Sequence, residues 1–198
     1  MEIMELVGLS LFELSPVAVK RLWGKMVGGR GRLTSEQYAK SIKDEITQTK
    51  HPCPLRVSIG TGDFVSPLIK RLFAEASLNG QKDMPRVSVI ILKRLADDAA
   101  TKMESLGILE PGFVEAMHAN IRGLREDAHL RQAKVEVEER IWKHLPLFHG
   151  HVFANRLLIG PWVVGPKGFL HVRGPLIEIP RKGFEGEYER YLGLFDAV

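Results

Sequence analysis

The chain lacks the features that mark several large classes of protein. Its 198 residues include one cysteine, Cys53, so an intramolecular disulfide framework is excluded and a reducing compartment is favoured. The apolar start of the chain is interrupted by Glu2, Glu5 and Glu13, so we expect neither a signal peptide nor a transmembrane span of about 20 apolar residues. These absences predict a cytoplasmic protein, or a virion-associated one if the chain is viral.

The overall charge is only mildly basic. The chain has 28 Lys and Arg residues against 24 Asp and Glu residues, which gives a formal net charge of +4. Such a balance permits contact with nucleic acid or an anionic membrane without requiring it. A length of 198 residues suits one large domain or two small ones, with room for a substantial core.

The block from Asp83 to His144 has apolar spacing that predicts helices. Apolar residues recur at intervals of three and four from Val87 to Leu106, and Gly107 with Pro111-Gly112 ends this first helix. Two further apolar series follow: Phe113, Met117, Ile121, Leu124 and Ala128, then Leu130, Ala133, Val137 and Ile141. They predict a second and a third helix, with a kink or break near 120–123. Mixed charges beside the third series suit packing on a partner subunit, but an ordinary core helix has the same pattern.

The segments before this block show helix starts and a short strand. Thr34 and Gln37 fit a capping box, which predicts a helix that ends near Gln48. Its inward residues would be Tyr38, Ile42 and Ile46. Alternation over 55–59 predicts a strand, and a Ser-Pro start predicts a helix over 67–77.

Past the central block the pattern becomes β-like. Short apolar runs between 152 and 180 are separated by Gly-Pro pairs, which predict a compact meander of two to four short strands. A final short helix is expected over 183–194.

Together these patterns predict an α+β, mainly α protein. Its architecture would be a helical bundle with long central helices and a small C-terminal antiparallel β segment. Three segments follow from this interpretation: a basic helical segment over 1–50, a central helical core over 51–146, and a β-rich segment over 147–198. They would form one or two packed domains.

Five cations without an intervening acid lie near the N-terminus. They are Lys20, Arg21, Lys25, Arg30 and Arg32. Neighbouring glycines would let the arginines reach a polyanion, and Trp23 could stack on a base or anchor at an interface. The alternative is a solvated helix face with Trp23 in the core. This basic patch is the candidate site for nucleic acid or anionic lipid.

Three histidines near the end of the central block are candidate metal ligands. His144, His149 and His151 lie close in sequence, and histidine commonly binds zinc and iron. The residues between them form a loop rather than a helix that would fix the ligand geometry. Turn and helix-capping histidines are therefore the alternative.

Two other patterns carry less weight. The turn Gly60-Thr61-Gly62-Asp63 follows a predicted strand, as a phosphate-binding loop would, but Val65 occupies the place of a third glycine and Asp63 would repel phosphate. A plain tight turn is the favoured interpretation. Cys53 stands between two prolines beside His51, and a packed structural thiol is favoured over a nucleophile.

The function predicted from these features is non-enzymatic. A self-associating protein, a homo-oligomer, would contact a polyanion through the basic patch, as in a viral or phage matrix- or coat-like assembly, and would need no cofactor. The competing prediction is a metal-dependent hydrolase that uses His144, His149 and His151 to bind zinc or iron.

Overall fold

The described part of the chain is built on a six-stranded mixed β-sheet. The computed structural model describes residues 34–48, 53–78, 87–142, 148–164, 167–171 and 177–196. Within these ranges the helices are α1 (Ser35–Gln48), α2 (Val65–Leu78), α3 (Asp97–Ser105), α4 (Phe113–Arg125), α5 (Ala128–Gln132) and α6 (Glu185–Asp196). The strands are β1 (Cys53–Ser58), β2 (Val87–Leu95), β3 (Glu136–Trp142), β4 (Phe148–Val152), β5 (Arg156–Pro161), β6 (Val163–Val164), β7 (Leu170–His171) and β8 (Ile177–Pro180).

The sheet joins a parallel half to an antiparallel half. Its strand order is β3-β2-β1-β4-β5-β8, and β6 pairs with β7 in a separate two-stranded sheet. Strands β1, β2 and β3 are parallel, so helical crossovers connect them: α2 joins β1 to β2, and α3 to α5 join β2 to β3. From β1 onward each neighbour is antiparallel. No helix in the described ranges combines the length and apolarity needed to cross a membrane.

The predicted helical bundle is wrong, and strand β2 shows why. Val87, Ile91 and Leu95 are spaced four apart, which fits a helical face, but residues four apart also share one face of a strand. Strand β2 lies between β1 and β3, and all residues from Ile90 to Leu95 are buried. A strand covered on both faces has a continuous apolar run, and periodicity alone does not separate this from a buried helix.

The predictions for the rest of the central block are wrong at strand β3 and at helix α4. The third predicted helix is strand β3 from Glu136, where exposed and less exposed side chains alternate until the buried Trp142. The predicted kink near 120–123 is also wrong, because α4 runs unbroken to Arg125. The chain breaks instead at Asp127, whose side chain caps the short helix α5 by accepting two backbone N–H bonds.

Other local predictions are confirmed. The backbone N–H of Thr34 donates to the Gln37 side chain (2.8 Å), and that of Gln37 donates to the Thr34 hydroxyl (3.1 Å), which completes the capping box. The predicted inward residues of α1 are buried: Tyr38, Ile42 and Ile46. Helix α6 is close to the predicted final helix. The predicted separate C-terminal β segment is wrong, because the antiparallel strands β4, β5 and β8 extend the main sheet through the β1–β4 pairing.

The two faces of the sheet carry different helices. Val57 pairs with His151, so both project from the first face, where the Tyr38 ring of α1 contacts the His151 ring. Ser58, next along β1, projects from the second face together with Trp142 of β3, and the Trp142 ring there contacts aromatic side chains of α6. Both faces are therefore covered in the middle of the sheet, and polar side chains there are buried.

Candidate functional site

Two histidines lie side by side where the parallel half of the sheet meets the antiparallel half. His149 and His151 are two residues apart on β4, so both project from the first face, and each is only 2% exposed. Because His151 pairs with Val57 in antiparallel register, His149 lies beyond it toward the carboxyl end of β1. The carboxyl ends of parallel strands are where open α/β sheets bind ligands.

Helix α1 supplies a hydrogen-bond partner for this pair. The Tyr38 hydroxyl lies 2.8 Å from Nε2 of His151, and both side chains are buried. A buried tyrosine O–H must donate to an acceptor, and Nε2 is the acceptor within reach in the described structure. The hydroxyl therefore donates to Nε2, which places the imidazole proton of neutral His151 on Nδ1.

The protonation states of both side chains follow from burial. Burial, with a smaller electrostatic contribution from the neighbouring His149, lowers the pKa of His151 to about 3. Burial also raises the pKa of Tyr38 above its ordinary value. At neutral pH both Tyr38 and His151 are therefore uncharged, and the hydrogen bond runs from the Tyr38 hydroxyl to Nε2 of His151.

Trp162, which directly follows β5, also contacts the histidine pair. Its indole ring meets His149 edge-on, with ring centroids 6.1 Å apart. Among the described residues, neither the buried Nε1 of Trp162 nor the buried Nδ1 of His151 has a hydrogen-bond partner. We call Tyr38, His149, His151 and Trp162 the histidine cluster.

The glycine turn after β1 borders this cluster. Its Asp63 carboxylate accepts bonds from the Thr61 hydroxyl (2.7 Å) and from the Asn120 amide of α4 (2.8 Å). The same amide donates to the Thr61 carbonyl (3.1 Å), which ties the turn to α4. The following residue, Phe64, contacts the Tyr38 ring at 5.4 Å between centroids and is 47% exposed. Phe64, which follows the turn, therefore lies between Tyr38 and the protein surface.

A second buried polar group lies on the opposite face. The Lys93 ammonium is 4.9 Å from the centre of the Trp142 ring, and the Trp142 indole donates to the Ser58 hydroxyl (3.4 Å). Asp196, near the end of α6, forms a two-bond ion pair with Arg56 and also contacts Arg140. These contacts hold α6 over Trp142, which gives the group a structural role.

The sequence identified part of the histidine cluster. His144, His149 and His151 were predicted as one candidate metal-binding group in a loop. The loop prediction is wrong for two of them, because His149 and His151 lie side by side on strand β4, and His144 lies outside the described residues. Tyr38 was predicted only to face inward, and no sequence signal connected Trp162 with the histidines. A buried tyrosine hydroxyl needs an acceptor, and that need was the one available hint of a polar partner.

The metal and polyanion predictions are untested by the described residues. Within the described ranges, no group of three His, Cys, Asp or Glu side chains is placed to hold a metal ion. The basic patch, which comprises Lys20, Arg21, Lys25, Arg30 and Arg32, lies wholly outside those ranges. Both remain predictions.

Comparison of the chain with protein-family models, with curated proteins and with solved structures found no match. The functional argument therefore depends on the chemistry of this chain's own residues.

Proposed function

We propose that the protein is an enzyme that uses the His149–His151 pair for acid–base catalysis, with hydrolysis as its reaction class. The observation that supports the proposal is the burial of two adjacent imidazoles at the carboxyl end of β1, one of which accepts a hydrogen bond from Tyr38. Titratable groups with strongly shifted pKa values collect at catalytic sites, because burial is the usual means of adjusting them. Apolar side chains would fill the same core space without the desolvation cost of an imidazole.

The two histidines would have different tasks. His151 is neutral because it is buried, and its tautomer is fixed because Tyr38 donates to Nε2. It therefore serves as a fixed donor through Nδ1. His149 would accept a proton from water as the water oxygen attacks the substrate, and the imidazolium would return that proton to the leaving group. The Trp162 ring packs against His149 and restricts its orientation.

A bound zinc or iron ion is compatible with this site only with a further ligand. Tyr38 occupies Nε2 of His151, so a metal would have to bind that ring through Nδ1. The imidazole proton would then lie on Nε2 and donate to the Tyr38 hydroxyl, the reverse of the arrangement without a metal. His149 could supply a second ligand, and His144 is the sequence candidate for a third. Such an ion would supply an activated water molecule.

Replacement of His149 by asparagine is expected to abolish hydrolysis. Loss of a general base typically lowers the rate by a factor of about 100 to 10,000. The measurement is kcat/KM on p-nitrophenyl acetate, p-nitrophenyl phosphate and bis(p-nitrophenyl) phosphate. His118→Asn is the matched control, since His118 is a partly exposed histidine on α4 whose ring lies 3.0 Å from Asp97.

The proposal fails if the wild-type protein hydrolyses none of the three esters, or if H149N keeps wild-type activity. Melting temperatures of both variants would show that a loss of activity is not a loss of folding.

A second proposed function is polyanion binding by the basic patch. Its support is the run of five cations without an acid between positions 20 and 32. Helix-based self-association has less support, because part of the predicted interface helix is strand β3, the edge of the sheet. The viral or phage assembly role remains a prediction.

Replacement of Lys20, Arg21, Arg30 and Arg32 by glutamine is expected to abolish salt-sensitive binding to nucleic acid or acidic liposomes. Each lost phosphate contact also reduces the dependence of affinity on salt concentration. The matched control removes four exposed cations elsewhere: Arg71, Arg122, Arg131 and Lys182. Co-sedimentation and light scattering at two salt concentrations measure binding and self-association together. Absence of binding by the wild-type protein at low salt would contradict this proposal.

A further inference from the structure

We infer that the histidine cluster binds an oxyanion, a phosphate or carboxylate group, between the indole N–H of Trp162 and the Nδ1–H of His151. The inference rests on the proposed function and deepens it, because it names the charged group that the substrate would carry. It does not depend on which bond the enzyme breaks.

Two polar atoms of the cluster that have no hydrogen-bond partner among the described residues are both donors. An indole nitrogen is a donor only, so the buried Nε1 of Trp162 can be satisfied by an acceptor and by nothing else. The Tyr38 bond to Nε2 makes Nδ1 of His151 a donor as well. Nε1 of Trp162 and Nδ1 of His151 can therefore each form a hydrogen bond only with an acceptor, such as an oxygen atom of an anion.

Burial of these two donors without acceptors costs free energy of folding. A buried donor without a partner costs about 1–3 kcal/mol, and native proteins rarely contain one without a reason. Two of them flank His149 in a single cluster: Trp162 contacts the His149 ring, and His151 lies two residues from His149 on the same face of β4. A ligand with two acceptor oxygens would satisfy both donors.

The side chains around the cluster would strengthen the binding of an anion. The rest of the cluster's surroundings is aromatic, with Phe153 stacked on His151 and Phe64 against Tyr38. Hydrogen bonds from N–H groups to a charged oxygen are strengthened in such apolar surroundings. Phe64 is about half exposed, so the Tyr38 side of the cluster lies next to solvent.

The test is an NMR titration of the tryptophan indole N–H resonances with sodium phosphate and, separately, with sodium acetate at constant ionic strength. Phosphate, acetate or both are expected to move the Trp162 resonance in a saturable way, while sodium chloride leaves it in place. Trp162→Phe keeps an aromatic ring and removes the donor, so it is expected to weaken binding by about tenfold or more, as loss of one hydrogen bond to a charged group does.

The matched control is Trp142→Phe. Trp142 is also buried, but its indole already donates to Ser58 on the other face of the sheet. This variant is expected to bind the oxyanion with wild-type affinity. The remaining indole resonances of each variant report whether it is folded, and the wild-type titration decides the question even if a variant is not.

The inference is overturned if neither phosphate nor acetate moves the Trp162 resonance, or if W162F binds as tightly as the wild type. Its failure is separable from that of the proposed function. Binding without ester hydrolysis would contradict the acid–base proposal alone, and hydrolysis without binding would contradict the oxyanion site alone.

Discussion

Replacement of Gly150 by alanine is expected to lower the free energy of unfolding by about 3 kcal/mol, the upper part of the range for an overpacked core. A Cβ atom at this position would lie 2.3 Å from the carbonyl oxygen of Leu158 and 2.8 Å from Cγ2 of Ile159. The carbonyl belongs to the backbone of β5, so it can move away only if the β4–β5 pairing opens. Gly150 also lies between His149 and His151, and such a movement would separate the histidine cluster.

Urea unfolding, followed by circular dichroism, measures this effect. Gly186→Ala is the control, because nothing lies within 4 Å of the added Cβ on helix α6. Alanine in a helix is favoured over glycine by about 0.5–1 kcal/mol, so the control is expected to be as stable as the wild type or slightly more stable. Equal stability of G150A and the wild type would show that β4 and β5 do not approach this closely.

Lowering the pH from 7 to 4 is expected to destabilise the protein through His151. Its pKa is about 3 in the folded protein, because burial disfavours the imidazolium, and 6.5 is its ordinary value. Between these values the unfolded chain binds the proton and the folded protein does not. The free energy of unfolding therefore falls as pH falls, by at most about 1.4 kcal/mol for each pH unit. Above pH 6.5 both states are neutral, and this contribution to the pH dependence vanishes.

The measurement is urea unfolding at pH 4, 5, 6 and 7 for the wild type and for His151→Gln. Glutamine does not titrate and can still accept the Tyr38 hydrogen bond, so H151Q is expected to show a shallower loss of stability at low pH. Comparison with this variant separates His151 from Glu45, whose pKa is raised by burial and whose contribution has the opposite sign. Identical pH profiles for the two proteins would refute the burial of a neutral His151.

The histidine cluster shows how far sequence reasoning reaches toward a site. His149 and His151 are close in the chain, but the sequence was interpreted there as a loop. The structure places both on strand β4, where residues two apart lie on one face. Tyr38 lies 113 residues away from His151 in sequence, and no local pattern connects them. Their contact follows from the packing of α1 on the first face, and the burial that shifts both pKa values follows from the same packing.

Local interactions account for the elements that the amino-acid pattern predicts well. The Thr34–Gln37 capping box and the glycine corner at Gly112 form between residues a few positions apart, so each carries its own signal. The central block is different. Val87–Leu95 satisfies both a helical and a strand spacing, and β3 continues an apolar series that also fits a helix.

Pairing between distant segments resolves that ambiguity. Once β2 lies between β1 and β3, its backbone groups bond to both neighbours, and its residues from Ile90 onward are buried. Val87, Val89, Ile90 and Ile91 are β-branched, and such residues suit a strand. The chain's composition and local spacing thus establish its caps, its corners and the proximity of two histidines. Long-range strand pairing and helix packing establish the sheet, the Tyr38–His151 bond and the burial that makes the cluster a candidate catalytic site, because these depend on contacts that no short stretch of sequence contains.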